Sequence, residues 1–497
     1  MSHTSEQPDT HSTQPEGSGD EKNYLLWAAG FVTGLALLLV PLYFDAPIGM
    51  SDMAWRCAGL AMMMAVWWAF EILPIAVTAL LPLILAPLLG LGRLDSVAAP
   101  YAHPVIYLYL GGFMLGLAME RWGLHRRIAI KVMLLVGTGE QRLVIGFMLA
   151  TALLSMWVSN TATAVMMLPI GVSVIYMLRE EGLGSRGFSA ALLLAIAYGS
   201  SIGGMATLIG TPPNALMAAF LEEQYDLKIG FAEWMAIALP VSVLMLAMTG
   251  WWLSRGGYSL SSGQNDRVQQ ELQKELQVMG GMSRGEWLVG IVFVLAAAAW
   301  LFRPLLSSML PGIPLSDTMI AVTAGVILFL LPVNIRTLTF VMNWDATKRL
   351  PWGVLILFGG GLSLAAMIQG TGLASWIAGQ FSVIPMGTEL LTVILAVTVI
   401  IFLTEITSNA ATTAAFLPPL GALAMSLDIP PALLAIPATL AASCAFMLPV
   451  ATPPNAIVFG SGQISIRQMI RSGMILNLVG IVVIGLLAYW LVGVVLF

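Results

Sequence analysis

The chain has 497 residues, 58% of them hydrophobic and only 9% charged, with a net charge of −5 and a mean hydropathy of +0.89. Soluble domains carry about 25% charged residues, so a cytosolic enzyme, a nucleic-acid binder and a secreted disulfide scaffold are excluded, and the long apolar runs point to membrane spans. Cys57 and Cys444 stand apart in apolar runs and the four histidines are scattered, which leaves no metal-ligand cluster.

In chain order, residues 1–23 are polar and rich in Ser, Thr, Gly and Pro, and read as a disordered cytoplasmic tail. No basic stretch leads directly into a short apolar one, which argues against a cleavable signal. The run 24–44 is the first long enough to cross a bilayer. Further spans are expected near 53–71, 73–92, 104–124, 190–220, 232–254, 287–302, 317–333, 352–369, 431–461 and 472–496. The apolar pairs 142–178 and 388–427 differ from these. Ser159-Asn160-Thr161-Ala162-Thr163 interrupts the first, and Ser408-Asn409-Ala410-Ala411-Thr412-Thr413 the second. With no charged loop between their arms, both read as re-entrant helical hairpins whose tips stop inside the membrane. The polar stretch 255–285 reads as a solvated cytoplasmic connector with a short helix near 268–278.

Eleven spans plus two hairpins, with the N-terminus in the cytoplasm, put 17 of the 21 Lys and Arg residues inside, leaving Arg56, Arg93, Lys228 and Arg303 outside. The chain then divides into the tail 1–23, three leading spans in 24–103 and a first repeat unit, 104–254, broken near 211–214. The loop 255–285, two spans in 286–351 and a second repeat unit, 352–497, broken near 452–455, complete it.

The repeat itself is visible as self-similarity. Shifted by 249 positions, 159–169 and 408–418 share six of eleven residues, and Gly111-Gly112 meets Gly360-Gly361. Thr211-Pro212-Pro213-Asn214-Ala215 recurs as Thr452-Pro453-Pro454-Asn455-Ala456. Five spans separate each element from its copy, so the copies point in opposite directions. An inverted repeat with discontinuous helices is transporter architecture, with the substrate site where the repeats meet. A membrane-embedded hydrolase or sensor has no use for that symmetry, and a nucleophile paired with a base is missing from the apolar runs.

Each break offers hydroxyls, an amide, bare carbonyls and a helix N-terminus, groups that suit a small hard cation and an anion. No Lys, Arg or His occurs in 143–178, 187–227 or 388–461. A dianion bound there lacks a fixed cationic partner, and an unpaired buried charge is expensive, so mobile cations such as Na⁺ are expected to bind with it. Ser and Thr in membrane helices also bond carbonyls a turn back, the bland alternative for any one of them. The glycine pairs read as close-packing sites. Glu405, whose counterpart is Met156, reads either as a proton-coupling group or as an acid paired at a wet surface.

With its paired Ser-Asn knots and paired Thr-Pro-Pro-Asn breaks, the chain resembles the divalent anion–sodium symporter family over residues 24–497. The resemblance implies an all-α polytopic homodimer of the bacterial inner membrane, with scaffold and transport domains moving as an elevator and the C-terminus outside. It implies one sodium site at Ser155, Ser159, Asn160 and the backbone at Gly210, and a second at Thr404, Thr407, Asn409 and the backbone at Ala451. Substrate carboxylates would meet Asn160, Thr161 and Thr211 on one side and Ser408, Asn409 and Thr452 on the other. Ala410 replaces a threonine of the family pattern and removes one hydroxyl. Sodium-coupled import of a C4 dicarboxylate such as succinate, malate or fumarate is the expected function; sodium-coupled sulfate transport and dicarboxylate exchange are the alternatives.

Overall fold

A computed structural model of the chain describes residues 19–180, 185, 187–261, 263, 265–381 and 389–497. Residues 1–18 of the expected tail and residue 388, where the second apolar pair was expected to begin, lie outside the described residues. The first helix, Gly19–Tyr43, starts within the stretch read as tail.

Both polar knots break helices where the sequence placed them. The first pair has arms Glu140–Ser155 and Asn160–Glu180, and the second Glu389–Thr404 and Asn409–Ser426. The Thr-Pro-Pro-Asn segments break two further helices, into Phe188–Met205 and Pro212–Tyr225, and into Pro431–Ala442 and Pro453–Gly460. Pro212 and Pro453 are each the first helical residue, where a missing N–H leaves nothing unpaired, and Thr211 and Thr452 cap them in extended conformation.

Among the described residues, seven helices are long and apolar enough to cross a bilayer. The eleven expected spans are therefore not eleven unbroken helices. The run 73–92 divides into Ile75–Thr78 and Leu81–Leu88 where its prolines interrupt the backbone ladder, and 317–333 is the 14-residue helix Asp317–Leu330. A small antiparallel pairing of Pro332–Asn334 with Thr339–Phe340 was not expected in an all-helical chain. The connector does contain a helix, Asp266–Val278, but it is docked rather than free. Val268 and Leu272 are buried, and Arg126 pairs with Glu275 at 2.7 Å. Buried Arg127 reaches Glu286 at 2.6 Å and the Gly280 carbonyl at 2.9 Å.

At the centre lies Phe188–Met205, buried at every residue but Ser189, as expected of a helix apolar on all sides. Glycine lets the first hairpin arm reach it: a Cβ at Gly199 would sit 2.7 Å from the Met148 carbonyl oxygen, and one at Gly203 would collide with that of Ala152. Gly111 and Gly360 also face backbone too closely for any side chain, which bears out close packing at those positions. The second half of each broken helix packs across the repeats. Pro212–Tyr225 lies against Asn409–Ser426, and Pro453–Gly460 against Asn160–Glu180. Each hairpin thus meets the first half of the broken helix of its own repeat and the second half of the other repeat's.

Candidate functional site

The first hairpin arm ends at Ser155 and the second begins at Asn160. Ser155 Oγ, fully buried, lies 2.6 Å from Asn160 Oδ1 and 2.7 Å from the carbonyl oxygen of Ser200, in the last turns of the first broken helix. The second repeat builds the same arrangement. Thr404 Oγ1 lies 2.9 Å from Asn409 Oδ1 and 2.8 Å from the Ala442 carbonyl oxygen. Each hydroxyl joins an arm end, a knot asparagine and a broken helix. The backbone after each break matches as well: Gly210 N donates to the Thr207 carbonyl at 3.3 Å, and Ala451 N to the Leu448 carbonyl at 3.2 Å.

The other expected ligands are placed less uniformly. Ser159 Oγ accepts the Ala162 N–H at 3.2 Å, whereas Thr407 Oγ1 lies 2.9 Å from the Leu403 carbonyl oxygen and 2.5 Å from Thr412 Oγ1. Ser159 and Thr161 line a cavity of about 350 Å³ between the first hairpin tip and the helix Pro104–Arg121, with Glu120, His125, Trp157 and Arg349 also on its wall. Ser408, Thr211 and Thr452 are not on that wall; both threonines are buried as helix caps. Ala410 is buried, whereas its counterpart Thr161 is exposed.

Electrostatics at the cavity agree with a site lacking a free cation. Arg349 is paired with Glu120. Burial pulls the His125 imidazole below its usual range, so it is neutral at pH 7, with Nδ1 3.0 Å from the Met119 carbonyl oxygen. Neutral oxygens therefore dominate both clusters, a donor set that fits Na⁺ as a transported ion. Ser201 Oγ and Ser443 Oγ, near matching ends of the two broken helices, are buried with no protein hydrogen-bond partner among the described residues.

Glu405 does not sit at a wet surface. It is buried, and its two oxygens accept N–H groups from Phe446 at 2.7 Å, Met447 at 2.9 Å, Leu448 at 3.1 Å and the Asn477 side chain at 2.8 Å. The acid thus fastens the second hairpin to the loop within the second broken helix. Its counterpart Met156 offers only its carbonyl, 2.5 Å from Thr207 Oγ1. Asn477, on the helix Ile466–Val483, was missed in the sequence because nothing repeats around it.

Two solved structures share the fold at low identity. The YdaH transporter of Alcanivorax borkumensis matches with a TM-score of 0.56 and 15% identity, over 95% of this chain and 98% of that one. MtrF of Neisseria gonorrhoeae, from a class of antimetabolite efflux pumps, matches with a TM-score of 0.56 and 13% identity, over 94% of each chain. Sequence relatives are much nearer. The sodium-dependent dicarboxylate transporter SdcS of Staphylococcus saprophyticus is 41% identical over 93% of this chain and 91% of its own length. The protein of that name in Staphylococcus aureus (strain USA300) is 38% identical over 94% and 91%. The profile of the sodium:sulfate symporter transmembrane region matches residues 25–496, and the chain belongs to that family of integral membrane transporters.

Proposed function

We propose that the protein is a sodium-coupled symporter of a small dianion, with a C4 dicarboxylate such as succinate as its substrate. The observation that carries this reading is the pair of hydroxyl–asparagine–carbonyl clusters at Ser155–Asn160 and Thr404–Asn409. Duplicated at matched breaks and free of Lys, Arg and His, they offer oxygen ligands for two cations and no fixed positive charge for an anion. The anion binds well only once the cations are in place, and that dependence is the coupling. The SdcS relatives, named for dicarboxylates, favour that substrate over sulfate.

In this reading Ser155, Ser159, Asn160 and the Gly210 backbone hold one sodium, and Thr404, Thr407, Asn409 and the Ala451 backbone hold the other. Asn160, Thr161, Ser408 and Asn409 face the carboxylates, with Thr211 and Thr452 acting through the helix ends that they cap. The crosswise packing supports two inverted repeats, each with a re-entrant hairpin, moving as one transport domain against a scaffold in a dimeric elevator of the bacterial inner membrane.

The test is uptake of radiolabelled succinate into proteoliposomes with an inward sodium gradient, against potassium at equal ionic strength. Uptake is expected only with sodium, with malate and fumarate competing better than sulfate. Equal uptake in sodium-free, pH-clamped buffer rejects the reading, and stronger competition by sulfate rejects the substrate.

A further inference from the structure

The asparagines of the two Thr-Pro-Pro-Asn segments have no role in the sites described so far. Both are fully buried. Asn214 Nδ2 lies 3.1 Å from the Gly204 carbonyl oxygen, 3.3 Å from that of Met205 and 2.8 Å from that of Thr207. Asn455 Nδ2 lies 3.0 Å from the carbonyl oxygens of both Ala445 and Leu448. Gly204 and Ala445, like Thr207 and Leu448, stand ten and seven residues before their asparagine. One amide thus grips the same two points of the broken-helix loop in each repeat.

We propose that Asn214 and Asn455 are positioning residues of the two cation sites, acting through Nδ2 by fixing the loop whose backbone the cations use. The inference rests on the sodium sites proposed above. A helix that stops inside protein leaves its last carbonyls without donors, and buried carbonyls need partners. The Asn amide brings two N–H donors and no charge. Lysine or arginine would also donate but would set a fixed positive charge beside a cation, and aspartate donates nothing when ionised.

The loop so held is in contact with the expected ligands. Thr207 and Leu448, gripped by the asparagines, are the residues whose carbonyls accept Gly210 N and Ala451 N. A Cβ added to Gly204 would sit 2.5 Å from Asn160 Oδ1, and one on Gly210 would collide with the Gly204 carbonyl oxygen. The pinned peptide at Gly204 is therefore wedged between a ligand side chain and a ligand backbone, and a loop that slips displaces both.

A competing role is direct ligation. Oδ1 of each asparagine is buried without a hydrogen-bond partner among the described residues, and an amide oxygen is a reasonable sodium ligand. The two roles separate on aspartate, which keeps the oxygen and adds charge but turns the donor face into an acceptor. Direct ligation predicts that Asn214→Asp and Asn455→Asp keep or tighten sodium binding. Pinning predicts that aspartate is at least as damaging as alanine, and that Asn→Ser, with one donor, lies between alanine and wild type.

The experiment measures succinate uptake by the full chain in proteoliposomes as a function of sodium, alongside the melting midpoint in sodium and in potassium without succinate. Asn214→Asp and Asn455→Asp are each expected to raise the sodium concentration for half-maximal uptake by about tenfold or more, the usual scale for groups that orient ligands. The succinate KM at saturating sodium is expected to stay within about twofold, and the sodium-induced rise in midpoint to shrink. Should the aspartate variants not fold in potassium, Asn214→Ser and Asn455→Ser decide: an unchanged sodium requirement overturns the proposal. So does an aspartate variant with unchanged or tighter sodium dependence. A wild type indifferent to sodium would instead overturn the site reading beneath it.

Discussion

The two repeats agree in what surrounds their expected cation ligands and differ in what ties their loops down. Ser155 and Thr404 present the same oxygen to the same kinds of partner, and Asn214 and Asn455 grip equivalent carbonyls. The tie between hairpin and loop is another matter. Among the described residues the first repeat has one hydroxyl–carbonyl contact, Thr207 to Met156, whereas in the second Glu405 accepts N–H groups from three backbone positions of the loop, and a fourth from Asn477 on the helix Ile466–Val483. A charge-assisted bond is roughly twice as strong as a neutral one, so the second hairpin is held to its loop far more firmly. The lesson is that duplication has kept the hydroxyl–asparagine–carbonyl arrangement at the breaks while the mechanical link has diverged, making the first hairpin the easier one to separate from its loop.

The comparison can be broken first at the knot asparagines. Asn160→Ala and Asn409→Ala are each expected to lower succinate uptake more than about tenfold at fixed sodium, since hydrogen bonds or ligation to charged groups contribute about 1.5–3 kcal/mol. A large loss at one and none at the other would end the equivalence of the sites. Next, Glu405→Gln replaces a double acceptor by an amide that cannot accept on both sides, at a cost of about 2–4 kcal/mol in stability. Thr207→Val in the first repeat is expected to cost about 1 kcal/mol. Thermal melts of the two variants in one detergent test the ranking, and the reverse order would refute the unequal ties.

A smaller effect is expected at Thr161, which lines the cavity and whose counterpart Ala410 has no hydroxyl. Thr161→Ala should weaken succinate binding about fivefold, equivalent to roughly 1 kcal/mol, read from competition at saturating sodium. Smallest of all is the exchange of the bridging hydroxyls. Ser155→Thr and Thr404→Ser keep the oxygen and are expected to shift the sodium requirement less than about threefold, within the approximately 0.5 kcal/mol of a methyl group's packing adjustment. A larger shift would show that the sites are tuned by shape as well as by oxygen placement.

The helix breaks were legible in the sequence because they are written twice. The knots at Ser159–Asn160 and Ser408–Asn409 and the prolines at 212 and 453 broke their helices at the expected places, since a proline without an N–H and a polar cluster in an apolar run act locally. The even spacing of apolar runs was a poorer guide to helix continuity, as the division of 73–92 shows. Glu405 was visible as an anomaly, but its use was not. Its partners are 41 to 72 residues away, and no local pattern announces them.

What the sequence by itself determined is the membrane class, the repeat, the positions of the breaks and the neutral character of the residues around them. These follow from composition and short-range backbone chemistry. Only the tertiary structure decided that the soluble helix Asp266–Val278 is clamped by Arg126 and Arg127, that Glu405 serves a loop, and that two asparagines hold carbonyls in register. Those depend on which buried donors and acceptors meet across the fold. In a low-dielectric interior each such group must find a partner wherever the packing of helices happens to bring one, and that is a property of the assembled chain.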